Sequence, residues 1–250
     1  MAIDLEKMKS KMASLKSDGN NRKDMFWRPQ DGEQTIRIVP TSDGDPFKDY
    51  WFHYNLGTNP GFLSPKKNFG DDCPLDNFVR ELFNEGTEDS IKMAKNLMAR
   101  QRFFSPVIVR GEEDKGVRIW GYGKTAYQEL LSLVLNPDYG DVTDVKEGTD
   151  IVLTYGKPVG AQFPQTTLTP RRRSSPLTKT EEQTETFLES IPDFNELFDR
   201  KTPEQVREML DKFLLGEEDA ESASTETTRY GKDVATEVSS VDKAFNELLG

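Results

Sequence analysis

The run Arg100-Gln101-Arg102-Phe103-Phe104-Ser105-Pro106-Val107-Ile108-Val109-Arg110, followed by Val117-Arg118-Ile119-Trp120-Gly121-Tyr122-Gly123-Lys124, constrains this chain more than any other stretch. Two segments rich in β-branched and aromatic residues, joined by Gly111-Glu112-Glu113-Asp114-Lys115-Gly116, predict an antiparallel hairpin. Side chains alternate between the faces of a strand. One face of the second run then carries Arg118, Trp120, Tyr122 and Lys124, while Val117, Ile119 and Gly121 turn to a core. The first run offers Arg102, Phe104 and Arg110 in one register, and Pro106 predicts an edge or a bulge. Cations interleaved with rings on an open strand face suit a single-stranded nucleic acid, because the cations meet phosphates and the rings stack on unpaired bases. The same residues equally fit an ordinary core strand, with Trp120 and Tyr122 buried and the cations merely solvating an edge.

Charge distribution bears on that choice. The formal net charge of the 250 residues is -11, which at first disfavours a polyanionic partner. From Leu215 to Gly250, however, nine acids face three bases, a net of -6. Residues 92–128 carry eight bases against three acids, so the hairpin is locally basic, and local distribution decides what a surface attracts. Hydrophobic residues make up 34% of the chain and mean hydropathy is -0.71, so part of it is expected to lie outside any core. A single cysteine excludes an intrachain disulfide and points to an intracellular protein. No apolar run reaches membrane-spanning length and no signal-peptide pattern opens the sequence.

In chain order, Ile3, Leu5, Met8, Met12 and Leu15 recur at helical spacing among lysines, predicting a short amphipathic arm over residues 1–24. Gln34 to Pro40 and Tyr50 to Tyr54 predict strands, and Asn55 to Asp72 a long loop. Helices are expected from Pro74, over Ser90–Met98 and over Lys124–Leu135; Thr149–Tyr155 is expected to be a strand and Phe163–Pro176 a polar loop. Phe187 through Phe198 predict helical cover for the core. Thr202-Pro203-Glu204-Gln205 is a helix start with Thr as cap and Gln three residues on; Gly216 stops that helix. The remaining acidic, Ser/Thr-rich residues end in an apolar tip with Phe245, Leu248 and Leu249, the pattern of a partner-binding tail.

Enzymatic chemistry finds little material. Gly121-Tyr122-Gly123-Lys124-Thr125 ends like a P-loop, but position 118 is Arg where that motif needs Gly. With one histidine in the chain, His-assisted nucleophiles and His-based metalloprotease motifs have nearly no material. His53, Cys73 and Asp76 have the residue types of a metal site, but a fourth ligand is not evident.

Gly32 to Pro40 followed by Pro46-Phe47, the His53 strand, Asp72-Cys73-Pro74, the hairpin, and the acidic tail ending Asn246-Glu247-Leu248-Leu249 stand in an order that resembles the single-stranded DNA-binding proteins of T4-type bacteriophages. The resemblance implies an α+β protein: an OB-fold-like antiparallel β-barrel core with helical cover. It further implies an N-terminal arm for contacts between protomers along the strand, and an acidic tail that recruits phage replication and recombination proteins. Lys9-Ser10-Lys11-Met12-Ala13-Ser14 is a loose version of the family's basic arm motif. Members often hold the loop before the Cys-Pro helix with one His and three Cys around zinc. Here Asp76 stands where a Cys is expected and the loop has no Cys, so zinc is not carried over, and Phe62, Leu63 and Phe69 are expected to hold the loop.

The combined expectation is a non-enzymatic, sequence-independent single-stranded DNA-binding protein in the cytoplasm of the infected host, without cofactor or membrane. Its regions are an arm over 1–24, a core over 25–215 and a tail over 216–250. Arg100, Arg102, Arg110, Arg118, Lys124, Arg171, Arg172 and Arg173 are the expected phosphate contacts. Phe104, Trp120 and Tyr122 are the expected stacking residues, followed by Trp51, Tyr54 and Phe163. An acidic adaptor that binds only proteins is the rival reading, and RNA in place of DNA remains open.

Overall fold

The computed structural model describes residues 25–194, 197–198 and 200–216. The arm and the acidic tail with its apolar tip lie outside the described residues. Eight strands form one sheet: β1 Phe26–Trp27, β2 Gly32–Ile38, β3 Lys48–His53, β4 Phe62–Leu63, β5 Arg100–Val109, β6 Arg118–Tyr122, β7 Thr149–Gly156 and β8 Gln165–Ser174. The helices are α1 Pro65–Phe69, α2 Pro74–Glu85, α3 Glu88–Leu97, α4 Lys124–Val134, α5 Glu181–Glu189 and α6 Pro203–Leu215. The main path runs β1-β6-β5-β2-β7-β8, with β3 on β5 and β4 on β3. Its only parallel pairing joins β1 to β6. The terminal strands of the path, β1 and β8, are not hydrogen-bonded to each other, so the expected barrel is not closed.

The hairpin is present, as β5 and β6 paired from Phe103↔Tyr122 to Val107↔Arg118. Pro106 is neither at an edge nor at a bulge. The far side of β5 is shared by two partners, β3 opposite Arg100–Phe104 and β2 opposite Val107–Val109. Pro106 falls at the seam between them, where its missing N–H costs least. Its carbonyl still accepts from Val39 N at 2.9 Å.

Period-two alternation holds in β6, but neither face is open. Trp120 and Tyr122 pack with Trp27, Phe103, Ala126 and Leu130 on the face covered by α4. Ile119 and Phe104 pack with Phe52, Phe194 and Leu197 on the other. Where a sheet is covered on both sides, as around β5 and β6, large side chains are buried whichever face alternation gives them. Trp120 is 1%, Tyr122 4% and Phe104 0% exposed. Tyr54 is also buried.

A third cluster joins α2, α3 and α6 through Val79, Leu82, Ala94, Leu97, Val206 and Leu210. The Thr202 capping box and the left-handed Gly216 cap bound α6 where the sequence places them. Two elements depart from the sequence reading. Within the expected long loop, Ser64 caps α1, Pro65 opens it and Gly70 ends it in the left-handed region. Phe62 and Leu63 are buried there, but Phe69 is 39% exposed and does not hold the loop. The expected polar loop over 163–176 is instead largely β8, whose alternation shows one buried apolar residue, Leu168.

Arg37, in the middle of β2, is fully buried. Its guanidinium donates to Asp150 Oδ1 at 3.0 Å, to the Asp144 carbonyl at 3.2 Å and to the Ser175 carbonyl. Arg110 reaches the same carboxylate through Nε and Nη2, and donates to the Leu177 and Pro176 carbonyls at 2.8 and 2.9 Å. Asp150 therefore fastens two arginines and, through them, the chain that leaves β8. Gly148 makes room for this: a Cβ there would lie 2.4 Å from the Asp144 carbonyl oxygen and 2.9 Å from Arg37 Nη2.

Candidate nucleic-acid interface

A cleft of about 810 Å³ opens where the barrel fails to close. Trp27, Arg28 and Pro29 line it from the β1 side, Trp120 to Tyr122 from β6, Arg100 to Arg102 from β5, and Gly123 to Ala126 with Glu129 from α4. Tyr155 of β7 and Pro164 to Thr167 at the start of β8 complete it. Both ends of the sheet path thus meet across one groove. Among the described residues, its charged lining is Arg28, Arg100, Arg102 and Lys124 against the carboxylate of Glu129. That carboxylate is engaged, accepting from Leu168 N at 2.9 Å.

The start of α4 concentrates the positive charge. Its cap, Gly123, makes no side-chain cap, and its first turn contains Lys124 but no acid. Helices α2, α3, α5 and α6 all carry an acid in that turn, as the helix dipole favours. A Cβ built on Gly123 would lie 3.4 Å from Arg102 Nη1, so this guanidinium rests against the helix start. Cations gathered at the positive end of a dipole raise one another's energy, and an anion seated among them relieves it.

The expected contact residues divide. Arg100, Arg102 and Lys124 line the cleft. Arg100 is anchored by donation to the Lys95 carbonyl at 3.1 Å. Trp120 and Tyr122 also line it, but their burial makes them its floor, with Tyr122 Oη at 2.7 Å from Ser105 Oγ. Phe104 lies in the opposite core cluster and offers no face to a base. Arg110 is spent on Asp150. Arg118 is buried and donates to Glu112 Oε2 at 2.6 Å; a buried side chain in an ion pair is structural. Phe163 is half-buried beside Pro164 of the lining. Arg171, Arg172 and Arg173 are exposed on the far half of β8, at least four residues beyond Thr167, or about 13 Å along a strand. They are not part of the cleft. The sequence reading passed over Arg28, Trp27 and Tyr155, which lie outside the hairpin and reach the groove only through the curl of the sheet.

His53, Cys73 and Asp76 do come together, and among the described residues they are the one group of metal-ligating type close enough to share an ion. His53 Nε2 is 3.3 Å from Asp76 Oδ2 and 3.7 Å from Cys73 Sγ, while its Nδ1 lies 2.9 Å from the Leu97 carbonyl. Ser64 Oγ donates to Asp76 at 2.7 Å. Burial alone would lower the His53 pKa, but the hydrogen bond to Asp76, with help from Cys73 and Leu97, lifts it to about 9. Burial would raise Asp76, and the His53 contact overrides it, holding the carboxyl at about 2. The cluster is thus an ion pair that ties β3, α1, α2 and the end of α3 together. Its three donors are one short of a closed structural zinc site.

Residues 30–214 match the protein family described as gp32 DNA binding protein like. The match begins just before β2 and ends within α6. A search of curated proteins returned no match.

Proposed function

The chain belongs to the gp32-like DNA-binding proteins, and from that premise we propose that it is a non-enzymatic, sequence-independent single-stranded DNA-binding protein on an incompletely closed OB-fold barrel. The observation that carries this reading is the cleft, where four cations and an acid-free helix start face one engaged carboxylate. Arg28, Arg100, Arg102 and Lys124 take phosphates. Tyr155 and Phe163, half-buried at the rim, stack on bases over the rigid floor of Trp27, Trp120 and Tyr122. A groove lined with cations and rings favours a backbone-tracking mode.

The wider role is proposed from the family. The arm over 1–24 links protomers along the strand, the tail over 216–250 recruits phage replication, recombination and repair proteins, and the protein acts in the cytoplasm of the infected host. No cofactor is assigned. Among the described residues no helix is long and apolar enough to cross a membrane.

The test is titration with oligothymidylate over a range of salt. Four phosphate contacts at about -0.7 each predict a log–log slope near -3. No binding at low salt would give the chain to the acidic-adaptor reading. A second expectation concerns the tail, whose acids suit the same groove. Deleting residues 217–250 is expected to tighten DNA binding at low salt and to change little at high salt; a truncation that binds no better refutes tail occupancy.

A further inference from the structure

We propose that the strand path continues beyond the cleft onto a second platform, formed by Trp51 and Phe69 with Lys66, Lys67 and Arg200, which takes additional nucleotides of single-stranded DNA. The proposal rests on the single-stranded DNA reading above and extends it to a surface outside the cleft.

Trp51 sits opposite Gln101 in the β3–β5 ladder, and directly paired residues of an antiparallel ladder point to the same face. Gln101 lines the cleft, so the Trp51 ring stands one strand away from it. Asn68 fixes this position from α1: its Oδ1 accepts from Trp51 N at 2.9 Å and its Nδ2 donates to the Trp51 carbonyl at 2.7 Å. The next residue is the exposed Phe69. Each ring already carries a cation. Lys67 Nζ is 5.4 Å from the Trp51 ring centroid, and the Arg200 guanidinium is 4.2 Å from that of Phe69. Among the described residues, Asp71 pairs with Arg200, and Asp49 accepts from Gln101.

The exposed Phe69 ring and the half-buried Trp51 ring, each under an exposed cation, form a base platform. A cation–π pair at an exposed site is weaker than the stacking of a base on an aromatic ring. A base therefore displaces Lys67 from the ring, and the freed ammonium stays within reach of the adjoining phosphate. Continuity with the cleft supplies the occupant: a strand leaving past Gln101 meets Trp51 next.

Trp51 also has its own optical signature. The chain has three tryptophans, and Trp27 and Trp120 are 6% and 1% exposed. Quenching by a base stacked directly on an indole is therefore expected from Trp51, beyond any change at the buried cleft floor. The experiment measures labelled oligothymidylates of about four and about twelve nucleotides by anisotropy, alongside intrinsic fluorescence, for the full-length protein, Trp51→Ala, Trp51→Phe and Lys67→Glu. Trp51→Ala is expected to weaken the longer oligonucleotide about tenfold and the shorter less than twofold. Trp51→Phe keeps a ring and is expected to retain the affinity while losing the quenching. Lys67→Glu, on an exposed side chain that leaves the fold intact, is expected to weaken only the longer one. Wild-type binding with all three variants indistinguishable from it overturns the platform and leaves the cleft standing. Wild-type protein that binds neither length overturns both readings.

Discussion

Replacing Asp150 by alanine is expected to destabilise the protein by about 3–5 kcal/mol, the cost of removing one partner from a buried ion pair. The reason is that Asp150 answers two guanidiniums at once. Arg37 is fully buried and Arg110 has a fifth of its side chain exposed, and neither can retreat to water without tearing β2 or β5 from the segment after β8. Burial already lowers the Arg37 pKa, an effect that the Asp150 charge opposes. At about 2–4 °C per kcal/mol for a chain of this size, the melting midpoint is expected to fall on the order of 10 °C. Thermal and urea melts of the variant check this. A loss below about 1 kcal/mol would mean the arginines find other partners and the network is not a fastener.

The second large effect is in pH. His53 is held up to about 9 against 6.5 in the unfolded chain, so its contribution is fully present below about pH 6.5 and is lost as pH rises through 9. The shift corresponds to about 3 kcal/mol. Asp76, held down at about 2, contributes above the ordinary carboxylate range and loses its contribution as pH falls through 2. The melting midpoint is therefore expected to be highest between about pH 4 and 6.5 and to fall on both sides. Asp76→Asn is expected to lower that plateau and to flatten the alkaline limb, because His53 then has no charge to answer. An unchanged alkaline limb in the variant would dissociate the limb from this pair. Chelation with EDTA is expected to leave the midpoint where it was. A midpoint that drops on chelation and recovers with added Zn²⁺ would make His53, Cys73 and Asp76 ligands instead of a clasp.

Local signals were legible in the sequence where the cause is local. The Thr202 capping box, the Gly216 stop, the β5–β6 hairpin and the helix from Lys124 all follow from residues close to one another. What could not be read is which faces get covered. Alternation assigns Trp120 and Ile119 to opposite sides of β6, but only the placement of α4 on one side and Phe194 and Leu197 on the other decides that both are core. The buried network of Arg37 was not legible, because its partner lies 113 residues away. In the same way β8 was hidden, since Thr and Arg on an edge strand look like a polar loop. Of the cleft, the Arg100, Arg102 and Lys124 side was readable from the hairpin; the side built by Trp27, Tyr155 and the start of β8 depends on how the sheet curls. Burial removed Phe104 and Arg118 from the site and the pairing with Asp150 removed Arg110, and each is a residue whose type alone suited it.

The unpaired edges of β1 and β8 have a topological consequence. A closed barrel or ring encloses its polymer, and a strand must be threaded by a free end or the ring must be broken open. A groove between two edges that never pair has no bore. It can be approached from the side at any point along a chain, including a covalent circle, and vacated the same way without sliding to an end. On the single-stranded DNA reading proposed above, loading and removal then need neither a free end nor the breaking of a strand pairing between β1 and β8.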